Sequence, residues 1–123
     1  FQLMDDAMDY NSEEDSLGKP PGNDFQEGHV TLPLLHLYQN SERSLKKKIE
    51  GFVENEKLTQ EDFCCVLEHI REAKSIEYTL DLARNYLEKA KSSIRTTSFA
   101  QPEFIKSFDA IADYLYERHT VLR

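Results

Sequence analysis

The sequence predicts an all-α protein, an antiparallel helical bundle. Three observations carry that expectation. From Ser41 onward apolar residues recur in steps of three and four, the spacing of one face of a helix. Several of these stretches open on residues that favour helix starts. No run of period-two alternation is long enough to argue for a sheet.

Taken in order, residues 1–10 form an acidic helix whose remaining circumference (Phe1, Leu3, Met4, Ala7, Met8, Tyr10) is fit for burial. Residues 11–29 hold Asn11, Ser12, Gly18, Pro20, Pro21, Gly22, Asn23 and Gly28, turn formers dense enough to exclude regular structure, so this stretch is a loop. Helices fill 30–123. Ser41 opens one, ahead of Leu45, Ile49 and Phe52. Thr59 opens the next, with Asp62 as its capping-box partner and Phe63, Val66, Leu67 and Ile70 on its apolar face. Ser75 opens the longest, whose single stripe is Ile76, Leu80, Ala83, Leu87, Ala90 and Ile94. After Thr96, Thr97, Ser98 and Pro102, a last helix carries Phe104, Phe108, Ile111, Leu115 and Leu122.

The 123 residues fit a single domain or a piece of one. The start, Phe1-Gln2-Leu3, reads as a chain cut from something longer, without the basic and apolar regions of a signal peptide. The longest apolar stretch, Val30 to Leu37, is broken by Thr31, Pro33 and His36 and falls far short of the ~20 apolar residues of a membrane span, so the protein is not expected to be integral to a membrane. Cys64 and Cys65 are neighbours whose side chains diverge by about 100° on a helix, which disfavours a disulfide and reads as two buried thiols in a reducing cytoplasm.

The net charge of −8 is concentrated at one end. Residues 1–28 hold eight carboxylates against Lys19 alone, a net of −7, so the other 95 residues carry −1. Such a front repels nucleic acid phosphates and attracts cations. On a helix Gln2, Asp5, Asp6 and Asp9 are spaced i, i+3, i+4, i+7 and share one face. Carboxylates crowded this way raise one another's pKa unless a cation compensates. Magnesium fits better than calcium, because it takes one or two carboxylates and completes its shell with water and phosphate oxygens, and no EF-hand spacing is present. Lys46-Lys47-Lys48 reads as a solvated helix face.

The segment Phe1-Gln2-Leu3-Met4-Asp5-Asp6-Ala7-Met8-Asp9-Tyr10, followed by Leu17-Gly18-Lys19-Pro20, Gly22-Asn23-Asp24 and Thr31-Leu32-Pro33-Leu34-Leu35, resembles the second aspartate-rich motif and following loop of the trans-isoprenyl diphosphate synthases, most of all the long-chain octaprenyl type that makes quinone side chains. The resemblance implies that the chain is the C-terminal portion of a single isoprenoid synthase domain. It implies a cytoplasmic prenyltransferase, a homodimer when complete, that condenses isopentenyl diphosphate with an allylic diphosphate using magnesium. Asp5 would then ligate a magnesium ion directly, with Asp6, Asp9, Gln2 and Asp24 holding its waters. Lys19 would reach the allylic diphosphate as the catalytic cation. His29 stands where the family usually has a lysine that also meets the diphosphate.

No second D-D-x-x-D occurs in the chain, so the resemblance implies half a site and a catalytically incomplete chain. A non-catalytic helical subunit or interaction module derived from the same family is the alternative from another class. A terpene cyclase is a third, and the Gly18-Lys19 and Gly22-Asn23-Asp24 loop speaks against it.

Overall fold

In the computed structural model, residues 1–11, 22–55, 59–98 and 101–120 are described. Among them there are seven helices and no strand: α1 (Gln2–Asn11), α2 (Asn23–Gln26), α3 (Leu32–Asn40), α4 (Arg43–Asn55), α5 (Gln60–Glu72), α6 (Ser75–Arg95) and α7 (Pro102–Thr120). The fold is the all-α one that the apolar spacing predicts.

The longest helix, α6, is the axis of the molecule, because α1, α3, α5 and α7 all pack on it. The core sits where they meet. From α1 it takes Met4, Ala7 and Tyr10, and from α3 Leu34 and Leu37. Phe63, Val66, Leu67 and Ile70 come from α5, and Ile76, Leu80 and Ala83 from α6. Each of the larger aliphatic or aromatic side chains contributes roughly 1.5–3 kcal/mol on burial. All four apolar positions read on α5 from the sequence are buried, and its predicted cap forms, with the Thr59 hydroxyl accepting from the Asp62 backbone N–H at 3.2 Å. That bond satisfies an N–H left without a helical partner in the first turn.

Other expectations are corrected. Ser41 does not open a helix; it closes α3, its hydroxyl donating to the Leu37 carbonyl at 2.6 Å, and α4 begins two residues later. The stretch 11–29 is not all irregular. Asn11 is the last residue of α1, and 23–26 form a helical turn. Phe1 precedes the first helical residue and is exposed. Cys64 and Cys65 are not buried. α5 turns positions 63, 66, 67 and 70 inward, which leaves Cys64 exposed and Cys65 half-buried, both as free thiols.

On α6 the stripe holds at Ile76, Leu80 and Ala83, but Ala90 is exposed and Lys91 takes the inward position one residue on. Its stem is buried and its ammonium pairs with Asp113 of α7 and with Glu88 at 3.4 Å, an arrangement the polar letter conceals. Hydrogen bonding to Asp113 raises the Lys91 pKa. Arg95 pairs with Asp109 at 2.6 Å one turn away, so two cations of α6 fasten α7.

The face of α7 also differs from the expected one. Ala112 is buried and Ile105, Phe108, Leu115 and Tyr116 are half-buried, whereas Phe104 and Ile111 face solvent; Leu122 lies outside the described residues. Large apolar residues occur around much of this helix, so size does not mark the packed side. The small Ala112 and the acids reached by Lys91 and Arg95 do.

The turn into α6 is strained. Lys74 caps it at φ 51°, in the left-handed region, which costs a residue with a Cβ about 1–2 kcal/mol. Ser75 follows, fully buried, sharing a hydrogen bond of 2.9 Å with His36 Nδ1 while the His36 ring stacks on Tyr78 at 4.1 Å, which ties α3 to the start of α6. Lys74→Gly is expected to relieve the strain, less the extra chain entropy glycine brings, for a net gain of about 0.5 kcal/mol. A thermal melt should rise by about 2–4 °C.

Candidate functional site

The acidic face of α1 forms as its spacing requires, and its members turn out to be unlike one another. Burial of Met4, Ala7 and Tyr10 orients the helix, leaving Gln2 and Asp5 exposed, Asp9 half-buried and Asp6 buried at 8% exposure. Asp6 accepts a hydrogen bond from Gln2 Nε2 at 2.8 Å, one turn back. Tyr10 is sealed in the core, its phenolic oxygen accepting from the Thr31 hydroxyl at 3.3 Å, and burial pushes its pKa up. The Tyr10–Thr31 bond fixes the far end of α1 against the start of α3.

Asp9 has a task that sequence reading missed. Its two carboxylate oxygens accept the backbone N–H groups of Asn23 (3.1 Å) and Asp24 (3.0 Å), so it caps α2 from fourteen residues away in the chain. The Gly22 N–H donates to the Asp9 carbonyl at 2.7 Å beside this bond. Gly22 lies at φ 74°, and a Cβ there would stand 2.8 Å from the Phe63 ring. The chain therefore returns to α1 over Phe63 only because position 22 has no side chain. The end of α2 is a Schellman turn: Gly28 at φ 82° donates to Phe25 and the His29 N–H reaches back to the Asp24 carbonyl at 2.8 Å. The turn letters at 22 and 28 were legible; the helical turn they bracket was not, because the residue that caps it lies on another helix.

These bonds set Asp24 beside the face of α1. Asp24 has a raised pKa, first through burial and then through the charges of Asp6 and Asp5, partly offset by His29. Burial also raises the pKa of Asp9, opposed by the backbone N–H groups it accepts and reinforced by the charges of Asp24 and Asp5. The structure thus brings together Gln2, Asp5, Asp6, Asp9 and Asp24, five of the seven residues singled out. His29 is exposed, its Nδ1 at 4.0 Å from Asp24 and 3.9 Å from Glu27, so in the described residues it faces carboxylates. Lys19 lies outside the described residues.

The donor set fits a hard divalent cation. It consists of carboxylate oxygens, one of them on exposed Asp5, and the pKa values of Asp9 and Asp24 are raised first by burial and then by the like charges around them. Among the described residues no three His, Cys, Asp or Glu side chains converge into a cage. Magnesium needs none, since water and phosphate oxygens complete its shell.

The raised pKa values have a consequence for stability. The folded state binds protons at Asp9 and Asp24 more tightly than the unfolded chain does, so their contribution is fully present below the ordinary value of 3.8 and is lost as pH rises through the raised folded values. At neutral pH a divalent cation should restore it. Thermal melts at pH 7 are expected to rise with magnesium, by about 1.4 kcal/mol at ten times its Kd, and to rise far less with sodium at equal ionic strength.

The comparisons with known proteins bear on the family and the fold. A family model described as polyprenyl synthetase matches residues 1–70. The chain is 34% identical over 118 residues to the heptaprenyl diphosphate synthase component 2 of Bacillus subtilis (strain 168), covering 96% of this chain and 32% of that protein. It is 35% identical over 97 residues to the octaprenyl diphosphate synthase of Escherichia coli (strain K12), covering 77% of this chain and 29% of the relative. Among solved structures, a polyprenyl synthase from Caulobacter crescentus CB15, complexed with calcium and isoprenyl diphosphate, superposes with a TM-score of 0.78 at 33% identity over 96% of this chain and 35% of that one. A decaprenyl diphosphate synthase from Rhodobacter capsulatus shares the fold, with a TM-score of 0.77 at 20% identity over 95% and 34% of the two chains. The chain spans about a third of the length of the relatives it matches. Among the described residues, no helix is long and apolar enough to cross a membrane.

Proposed function

The chain belongs to the polyprenyl synthetase family, and from that membership we propose that it is the C-terminal part of a cytoplasmic polyprenyl diphosphate synthase, a homodimer when complete, that condenses isopentenyl diphosphate with an allylic diphosphate. The observation that carries the reading is the acidic face of α1 completed by Asp24, which Asp9 brings in by capping α2.

In this reading magnesium, when bound, supplies the positive charge that stabilises pyrophosphate as it leaves the allylic carbon. Asp5 presents its carboxylate at the open side of the face. Asp6 and Gln2, bonded to each other, and Asp24 offer oxygens for ordered water. Asp9 holds the α2 turn and with it Asp24, so that the acids are in place before substrate arrives, which is the condition for electrostatic stabilisation without reorganisation. Lys19 is the basic residue for the diphosphate. His29 gives a weaker second contact, because its ring has Asp24 and Glu27 within 4.0 Å to compete for it.

A second reading, a non-catalytic helical subunit of the same family, draws on that placement of His29 among carboxylates. The test is a longer protein in which this segment follows its natural upstream sequence, incubated with magnesium and both diphosphates. A polyprenyl diphosphate product that depends on Asp5 is the expected result. No product would favour the second reading, and product indifferent to Asp5 would keep the enzyme but remove Asp5 from its mechanism.

A further inference from the structure

α2 is a single helical turn, too short to hold its own shape, so its placement is set by what grips it. Two grips are present. On one side the Asp9 carboxylate accepts the backbone N–H groups of Asn23 and Asp24, and the Gly22 N–H donates to the Asp9 carbonyl. These bonds all run to one residue, so they act as a hinge: they fix where the turn begins and leave it free to rock about Asp9. On the other side stands Phe25, fully buried.

Phe25 removes that freedom. Its ring is stacked on Phe63 of α5, with centroids 6.3 Å apart and planes at 21°, and forms a T-shaped pair with Phe52 of α4 at 6.4 Å and 70°. Both separations lie in the range of attractive aromatic pairs. A flat ring held by two others cannot turn without displacing one of them, and Phe63 is itself buried. Asp24 is the preceding residue of the turn, about 100° round from Phe25, so the angle at which the ring is held decides the angle at which the carboxylate meets α1. Phe63 and Phe52 come from helices that contribute none of the acids gathered there.

We propose that Phe25 is a positioning residue of the acidic face: clamped by Phe63 and Phe52, its ring holds Asp24 to the tolerance that magnesium needs and calcium does not. The inference rests on the reading of that face as a magnesium site and adds the side chains that tune it. Magnesium keeps its ligands, water included, near octahedral corners at about 2.0–2.1 Å, whereas calcium accepts roughly six to eight oxygens at about 2.3–2.6 Å in a loose shell. An acid that can rock therefore still serves the larger ion and fails the smaller. Phe25→Leu keeps the position apolar and removes the flat ring that stops the rocking.

The test is a set of thermal melts of the chain, titrated with magnesium and with calcium at constant ionic strength, with each apparent Kd taken from the rise in melting temperature. Phe25→Leu is expected to weaken magnesium by about 10-fold, the lower end of the effect of removing a group that orients a metal ligand, and calcium by clearly less. Ile70→Val, fully buried on α5 about two turns beyond Phe63, should lower the melt and leave both Kd values unchanged, which separates positioning from a mere loss of stability. If Phe25→Leu does not fold, Phe52→Leu, at a half-buried position, should shift the ratio of the two Kd values in the same direction. Equal weakening of both ions, or an unchanged magnesium Kd in a chain whose response to magnesium is lost with Asp24→Ala, overturns the role of Phe25 and leaves the magnesium reading standing. A parent melt that magnesium does not move, or that magnesium moves equally in Asp24→Ala, overturns both.

Discussion

Asp5→Ala, made in the longer protein that carries this segment, is expected to lower polyprenyl diphosphate formation by about 10²–10³-fold, the scale seen when one preorganised electrostatic group is removed from a reacting centre. The reason lies in how the four polar residues of α1 divide their work. Gln2 and Asp6 are bonded to each other, and Asp9 is bound to two backbone N–H groups of α2. Asp5 is the exposed carboxylate of the face. Its loss leaves the fold intact and removes the oxygen best placed to meet a cation. kcat and kcat/KM should fall together, because the interaction serves charge that develops in the transition state. Asp9→Asn should behave differently. An amide oxygen accepts the backbone N–H less strongly than a carboxylate and its NH₂ group cannot accept at all, so α2 loosens. The variant should lose thermal stability as well as product. A melt of each variant beside its rate separates the two roles, and an Asp5→Ala enzyme of full activity would remove Asp5 from the mechanism.

Gly22→Ala is expected to destabilise the chain by about 3 kcal/mol, from two sources that can be measured apart. A φ of 74° costs alanine about 1 kcal/mol. In addition the new methyl would stand 2.8 Å and 2.9 Å from two carbons of the Phe63 ring and 3.2 Å from Leu67. Phe63 cannot turn away freely, for its ring is buried and stacked on Phe25 at 6.3 Å, so the clash adds about 1–3 kcal/mol of overpacking. Gly28 supplies the control. It has a similar φ of 82° with nothing within 4 Å of an added Cβ, so Gly28→Ala should cost only the backbone part, about 1 kcal/mol. Chemical denaturation of the two variants should differ by the packing part. Equal losses would mean that the turn moves away from Phe63 at little cost. If α2 shifts to relieve the clash, Asp24 shifts with it, and the effect of magnesium on the melt should shrink.

The sequence by itself determined the helical class, the capped start and full buried face of α5, the central stripe of α6 as far as Ala83, and the acidic face of α1. Each of these is local, set by spacing along one helix and by bonds between residues three or four apart. Tertiary structure decided whatever depends on a partner distant in the chain. It turned Asp9 into the cap of α2, made a helical turn of 23–26, sank the stem of Lys91 between α6 and α7 where Ala90 was expected, and chose which side of the apolar α7 would be packed. A helix wheel shows which residues share a face. What that face meets, and whether a charged side chain on it is a ligand, a cap or a clasp, is fixed only when another helix brings its N–H groups or its counter-charge within about 3 Å, the range in which a hydrogen bond has its strength.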